Sequence, residues 1–275
     1  MTEPEDATST LGRTADDGLA EVASTEPEGE PANTADVDLT DGELVDAESA
    51  LELVGVTVGY GRSSVLFDVD MSVPKDGAAT ILGHNGAGKT TLLRAAVGLL
   101  PVTSGKVLLD GEDITNLQPN ARTRKGIGYV PQGQLCFPQM TTLENLQLVS
   151  TKQSEIDEVV DTFPVLKELM RRPAGLLSGG QRQQLSIART LLGKPRMLIL
   201  DEPTEGIQPN VVAEIEEVIV ELTARGDFTV LLVEQHVGFA LRVSDRYYTL
   251  ESGRITGAGS GGEEAIDTVR KAMAV

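Results

Sequence analysis

The chain has 275 residues, 42 acidic and 23 basic, for a formal charge of −19, and the excess is uneven: residues 1–50 hold 15 acidic side chains against Arg13, a net of −14 that leaves −5 on 51–275. A near-neutral body behind an acidic tail excludes a nucleic-acid binder driven by a basic surface and a chain acidified throughout, and no apolar stretch approaches the roughly 20 residues that cross a bilayer. The single cysteine, Cys136, rules out an internal disulfide, and the start MTEPEDATST lacks a secretory signal, so a reducing, cytoplasmic location is expected.

Residues 1–50 are rich in Glu, Asp, Thr, Ala and Pro and lack aromatic side chains. They cannot bury enough surface to offset ordering entropy, so they are expected to form a disordered tail, either merely solvated or with a regulatory role. From Leu51 the texture changes. The stretches 51–58 (LELVGVTV) and 65–71 (VLFDVDM) alternate or run apolar as strands do, around a Gly/Ser turn at 59–64. A short strand at 78–82 enters a glycine loop, and 89–100 has helical apolar spacing up to Pro101. Further strands are predicted at 106–109, 127–130, 197–200 (MLIL) and 228–233 (FTVLLV), and helices across much of 141–173 and over 211–223. A hairpin follows at 247–250 with 254–255, and the glycines of 257–262 release a short helix at 263–275. Repeated alternation of strand and helix implies a mostly parallel sheet covered on both faces.

Three motifs carry chemistry. Gly83, His84, Asn85, Gly86 and Ala87 lead into Gly88-Lys89-Thr90-Thr91, the P-loop pattern. Its glycines let backbone N–H groups turn inward around phosphate oxygens at a helix N-terminus; Lys89 would reach the β- and γ-phosphates, and the Thr90 hydroxyl would coordinate Mg2+. The apolar strand 197–200 ends in Asp201 and Glu202, one carboxylate to hold Mg2+ through water and a second to orient or deprotonate an attacking water. Leu177-Ser178-Gly179-Gly180-Gln181 opens another helix, where the hydroxyl and glycine N–H groups make a second anion-binding end; the plainer alternative is an N-cap serine.

Together these residues resemble the signature set of ABC ATPases, over 51–257. The resemblance implies an α/β P-loop NTPase cassette with a mostly parallel core sheet, an antiparallel β subdomain and a helical subdomain at about 133–176, then a Gly-rich linker and short helix at 258–275. It implies ATP and Mg2+ as cofactors. By position, Tyr60 matches the aromatic that stacks on adenine, Gln132 the glutamine that senses Mg2+ and the attacking water, and 203–208 the loop at the dimer interface. The switch position falls on Gln235 when counted back from Ser244-Asp245-Arg246, with His236 next to it as the alternative; motif position favours Gln235. The segments 232–235 (LVEQ), 131–138 (PQGQLCFP) and 201–209 (DEPTEGIQP) resemble the importer branch for branched-chain amino acids and urea.

The implied partners are a second ATP-binding subunit, identical or paralogous, in a head-to-tail dimer; transmembrane permease subunits that hold it on the inner face of the membrane; and, indirectly, an extracytoplasmic solute-binding protein. No nucleic acid is expected. The alternative is an exporter ATPase or a non-transport ABC ATPase of DNA repair or translation. One P-loop and 45 residues from Gln132 to Leu177 argue against the second cassette or long coiled coil of the latter.

Overall fold

Strands β1 (Ser49–Tyr60) and β2 (Ser63–Pro74) pair antiparallel around the turn at Gly61 and Arg62. The computed structural model describes residues 48–226 and 228–273, so the expected disordered tail lies, except at its last residues, outside the described residues. Those last residues are structured. Ser49 pairs with Pro74, Ala50 is buried, and the Glu48 carbonyl accepts from Lys75 N–H, which moves the start of the folded part ahead of Leu51.

The chain continues through β3 (Ala78–Leu82), α1 (Lys89–Ala96), β4 (Ser104–Leu109), β5 (Glu112–Asp113), α2 (Pro119–Arg124) and β6 (Ile127–Val130). The segment 133–176 holds α3 (Thr142–Gln147), α4 (Gln153–Asp161) and α5 (Val165–Glu168), and then α6 (Gly179–Leu192) returns to the sheet. The last part runs β7 (Met197–Asp201), α7 (Pro209–Ala224), β8 (Thr229–Val233), α8 (Val237–Arg242), β9 (Arg246–Glu251), β10 (Arg254–Ser260) and α9 (Ile266–Met273). One sheet is antiparallel, in the order β2-β1-β4-β5. The other has the order β10-β9-β3-β8-β7-β6, parallel throughout except for the β9–β10 hairpin.

The parallel strands are apolar on both faces because both are covered. Side chains alternate across a strand with period two. Thus Ala79, Ile81, Met197, Ile199, Leu231 and Val233 join a core with the antiparallel sheet and α1. Their neighbours Ala78, Leu82, Leu198, Leu200, Val230 and Leu232 join a second core with α6, α7, α8 and the helices of 142–168.

Helices α2 and α8 are not expected from the sequence, and two elements that are expected end elsewhere. Helix α1 stops at Ala96 instead of running to Pro101. Arg122, 1% exposed, reaches back from α2 and donates to the carbonyls of Ala95 (2.8 Å), Ala96 (2.7 Å), Thr115 (2.8 Å) and Leu117 (3.1 Å), so a buried cation closes the negative end of the helix. Arg122→Met should cost about 3 kcal/mol in denaturant unfolding, because it removes a donor from four carbonyls, two of them buried; a loss below about 1 kcal/mol would show that water replaces the guanidinium. The second difference is the segment from 257 to 260. It is strand rather than linker, since β10 pairs with β9 through Ser260, and Gly259 leaves the room that the Tyr247 ring fills.

Candidate active site

In the parallel sheet β8 lies between β3 and β7, and all three strands point their carboxyl ends the same way. Their following segments therefore meet: 83–88 after β3, Glu202 after β7, Glu234 to His236 after β8. Gly88 sits at φ +111, a conformation that strains any side chain, and a Cβ there would fall 2.9 Å from Leu66 Cδ2. Lys89, 5% exposed, donates to the carbonyls of Gly83 (2.7 Å) and His84 (3.1 Å) and forms an ion pair with Glu202 Oε1 at 3.1 Å. A cleft of about 340 Å3 is lined by Asn85, Gly86, Gly88, Lys89, Thr90, Thr91, Gln132, Glu202, Glu205 and Val65.

The carboxylate of Glu202 is the centre of this cluster. Its residue is 7% exposed and adopts φ +48, an uncommon setting for a non-glycine side chain, held by its N–H bond to Val233 O at 2.9 Å. Gln132 Nε2 donates to Glu202 Oε2 (3.0 Å) and to Glu205 Oε2 (2.6 Å). Gln235 Nε2 donates to Glu202 Oε1 (3.1 Å) and to Asn85 Oδ1 (2.8 Å). His236 turns away: its Nδ1 lies 3.0 Å from Glu216 Oε1 on α7, so of the two switch candidates only Gln235 meets Glu202.

Asp201 is fully buried and accepts from the Thr90 hydroxyl (3.3 Å) and the Tyr129 hydroxyl (3.2 Å). Burial pushes its carboxyl above the ordinary Asp range, Glu202 beside it adds to the rise, and the two hydroxyls oppose it. Burial, reinforced by Asp201, likewise raises the Tyr129 phenol. These oxygen donors suit a hard cation. Among the described residues no group of three or more His, Cys, Asp or Glu gathers to hold a metal by itself. The Asp201 carboxylate and the Thr90 hydroxyl are donors of the kind that Mg2+ takes, one or two from protein beside phosphate and water oxygens.

The Ser178–Gln181 turn is a capping box at the start of α6: Ser178 Oγ accepts from Gln181 N–H (3.3 Å), and Gln181 Oε1 accepts from Ser178 N–H (3.0 Å). Gly180 has no room for a side chain, since a Cβ would lie 2.5 Å from Val211 Cγ1 and 3.2 Å from Ile207 Cγ2. Gly179 faces the side chain of Gln134, which in turn accepts from Arg182 (3.3 Å). None of these four residues lines the cleft. Neither does Tyr60, which is exposed at the end of β1 and accepts from Arg94 of α1 at 3.3 Å. A hydrogen bond with Thr91, supported by Arg94, draws its phenol below the usual value. The His84 ring reaches Met273 O in α9 (3.1 Å), which leaves its main chain for the loop.

Sequence reasoning missed Glu205, Tyr129 and Glu234. Glu205 lies inside the 203–208 loop and Tyr129 on β6 beside β7, but nothing in the sequence announces their bonds to Gln132 and Asp201. Glu234 is a carboxylate at the end of a buried strand, a place where glutamate is rare.

Likenesses to known proteins bear on this arrangement. The family model described as ABC transporter matches residues 66–205. A probable branched-chain amino acid transport ATP-binding protein, LivF, of Archaeoglobus fulgidus is 41% identical over 219 residues, 78% of this chain and 93% of that protein. A lipopolysaccharide export system ATP-binding protein, LptB, of Haemophilus influenzae is 34% identical over 77% of this chain and 91% of its own length. Among solved structures, a nucleotide-free ATP-binding cassette from an ABC transporter superposes with a TM-score of 0.73 at 28% identity, covering 81% of this chain and 95% of that one.

Proposed function

The chain belongs to the ABC transporter family of ATP-binding, ATP-hydrolysing subunits, and on that premise we propose that it energises an importer of branched-chain amino acids or urea. The observation that carries this reading is the 41% identity across nearly the whole of a relative described as a branched-chain amino acid transport subunit, against 34–37% for lipopolysaccharide export relatives. Its test is uptake of labelled leucine and urea in a strain lacking the gene, with co-purification of permease subunits. Loss of either uptake supports the importer; intact uptake of both, with a defect in export of an envelope lipid, would assign the chain to an exporter.

The proposed mechanism starts with phosphate binding by the main-chain N–H groups of 83–88, the α1 N-terminus and Lys89. Phosphate oxygens would then draw Lys89 away from Glu202 and free that carboxylate to orient and deprotonate a water, with the Gln132 and Gln235 amides holding it in place. Mg2+, held by Thr90, Asp201 and Gln132, would offset the phosphate charge. Tyr60 would stack on the adenine beside α1. Because Ser178–Gln181 lies off the cleft, the signature is proposed to cover the ATP of a partner subunit in a head-to-tail dimer.

No helix among the described residues is long and apolar enough to cross a membrane. Attachment from the cytoplasmic side is proposed to run through 133–176, where Leu135, Phe137, Leu148, Val149 and Leu176 are exposed. The Arg189 guanidinium stands 5.4 Å over the Phe137 ring and donates to Leu135 O, which holds this apolar surface in place.

The switch assignment has its own test. Gln235→Ala should lower turnover about tenfold or more, whereas His236→Ala should stay within about twofold of the unsubstituted chain in steady-state phosphate release. The reverse order would hand the role to His236.

A further inference from the structure

Glu234 follows β8 directly and is 3% exposed. A carboxylate leaves water at a large cost unless donors replace the lost hydration. Four do so here, all of them neutral groups. Oε1 accepts from the Thr204 N–H (3.2 Å) and hydroxyl (2.7 Å); Oε2 accepts from the N–H groups of Gln235 (3.0 Å) and His236 (3.4 Å). The two oxygens thus address two segments, the loop after Glu202 and the backbone that presents Gln235. The Glu234 N–H bonds to Ile81 O (3.4 Å), next to the strand end that enters the Gly83 loop. Glu234 does not line the cleft.

We propose that Glu234 is a positioning residue for hydrolysis: its carboxylate ties the Thr204 loop to the Gln235 backbone and so sets the Gln235 amide against Glu202. The inference rests on the roles proposed above for Glu202 and Gln235. Charge and shape are both required, because every partner is a donor. A glutamine there would turn an NH2 group toward either the Thr204 N–H or the Gln235 and His236 N–H groups, and one side of the bridge would open. The displacement falls on an amide that must stay within hydrogen-bond reach of Glu202, so it acts on the chemical step more than on ATP binding.

The test is steady-state ATP hydrolysis by the full-length chain, with folding checked by thermal melting. Glu234→Gln and Thr204→Val should each lower kcat about tenfold while KM for ATP moves less than about twofold. Because both weaken the same bridge, Thr204→Val by removing the shorter of its two bonds, the double variant should be no more than about twofold slower than the slower single one. In a Gln235→Ala background Glu234→Gln should add less than about twofold, since the group it positions is gone; a role in stability alone would produce neither coupling. Unchanged kcat in Glu234→Gln, or fully additive losses, overturns the inference while leaving the site assignment intact. Unchanged kcat in Gln235→Ala overturns the site assignment, and the inference with it. If Glu234→Gln does not fold, Thr204→Val decides by itself: a tenfold loss of kcat supports the bridge and an unchanged rate removes it.

Discussion

Glu202→Gln should leave ATP bound and cut hydrolysis about a thousandfold. Glutamine keeps the length of the side chain and can still accept from Lys89, but it offers no basic lone pair to a water, and its NH2 would face the amides of Gln132 or Gln235, which already donate at this point. Removing the negative charge also releases Lys89 from its ion pair, so nucleotide affinity should hold or rise. Phosphate release and nucleotide titration on the same preparation separate the two effects. Turnover within about tenfold of the unsubstituted chain would remove Glu202 from the role of base.

Lys89→Met should do the opposite, weakening ATP binding about a hundredfold or more, because charge-assisted bonds to phosphate oxygens are lost while the aliphatic stem is kept. Stability should fall by about 1–3 kcal/mol, since the buried Gly83 carbonyl loses its Lys89 donor. Cutting one partner from a buried ion pair ordinarily costs about 3–5 kcal/mol, but Glu202 keeps two amide donors, from Gln132 and Gln235, and stays solvated by the protein. Calorimetric titration together with a thermal melt checks both halves. Undiminished affinity would show that the loop N–H groups suffice without the cation.

The parts of the molecule that could be read from sequence are those where local chemistry has one solution. A run such as MLIL ending in two acids is buried in any α/β context, and β7 is buried throughout. The glycine loop before Lys89 needs backbone freedom at Gly88, and φ +111 is what it has. Other features depend on partners distant in the chain. The end of α1 is set by Arg122, 26 residues beyond Ala96. The outward turn of His236 depends on Glu216, a side chain on α7 that meets its ring. The glycines at 257 and 259 read as a linker because glycine weakens a strand taken alone; pairing with β9 and the Tyr247 ring overrode that preference. Glu234 stood within a segment already singled out, yet its burial depends on Thr204, which only the folded sheet brings alongside.

The alternation of β7 between two cores makes adjacent positions answer to different halves of the molecule. Ile199 faces the layer that carries α1, and with it the end of the glycine loop; Leu200 faces the layer that carries α6, and with it the Ser178 turn. A methyl group lost from β7 therefore opens its cavity in one layer first: beneath α1 when it is taken from Ile199, beneath α6 when it is taken from Leu200.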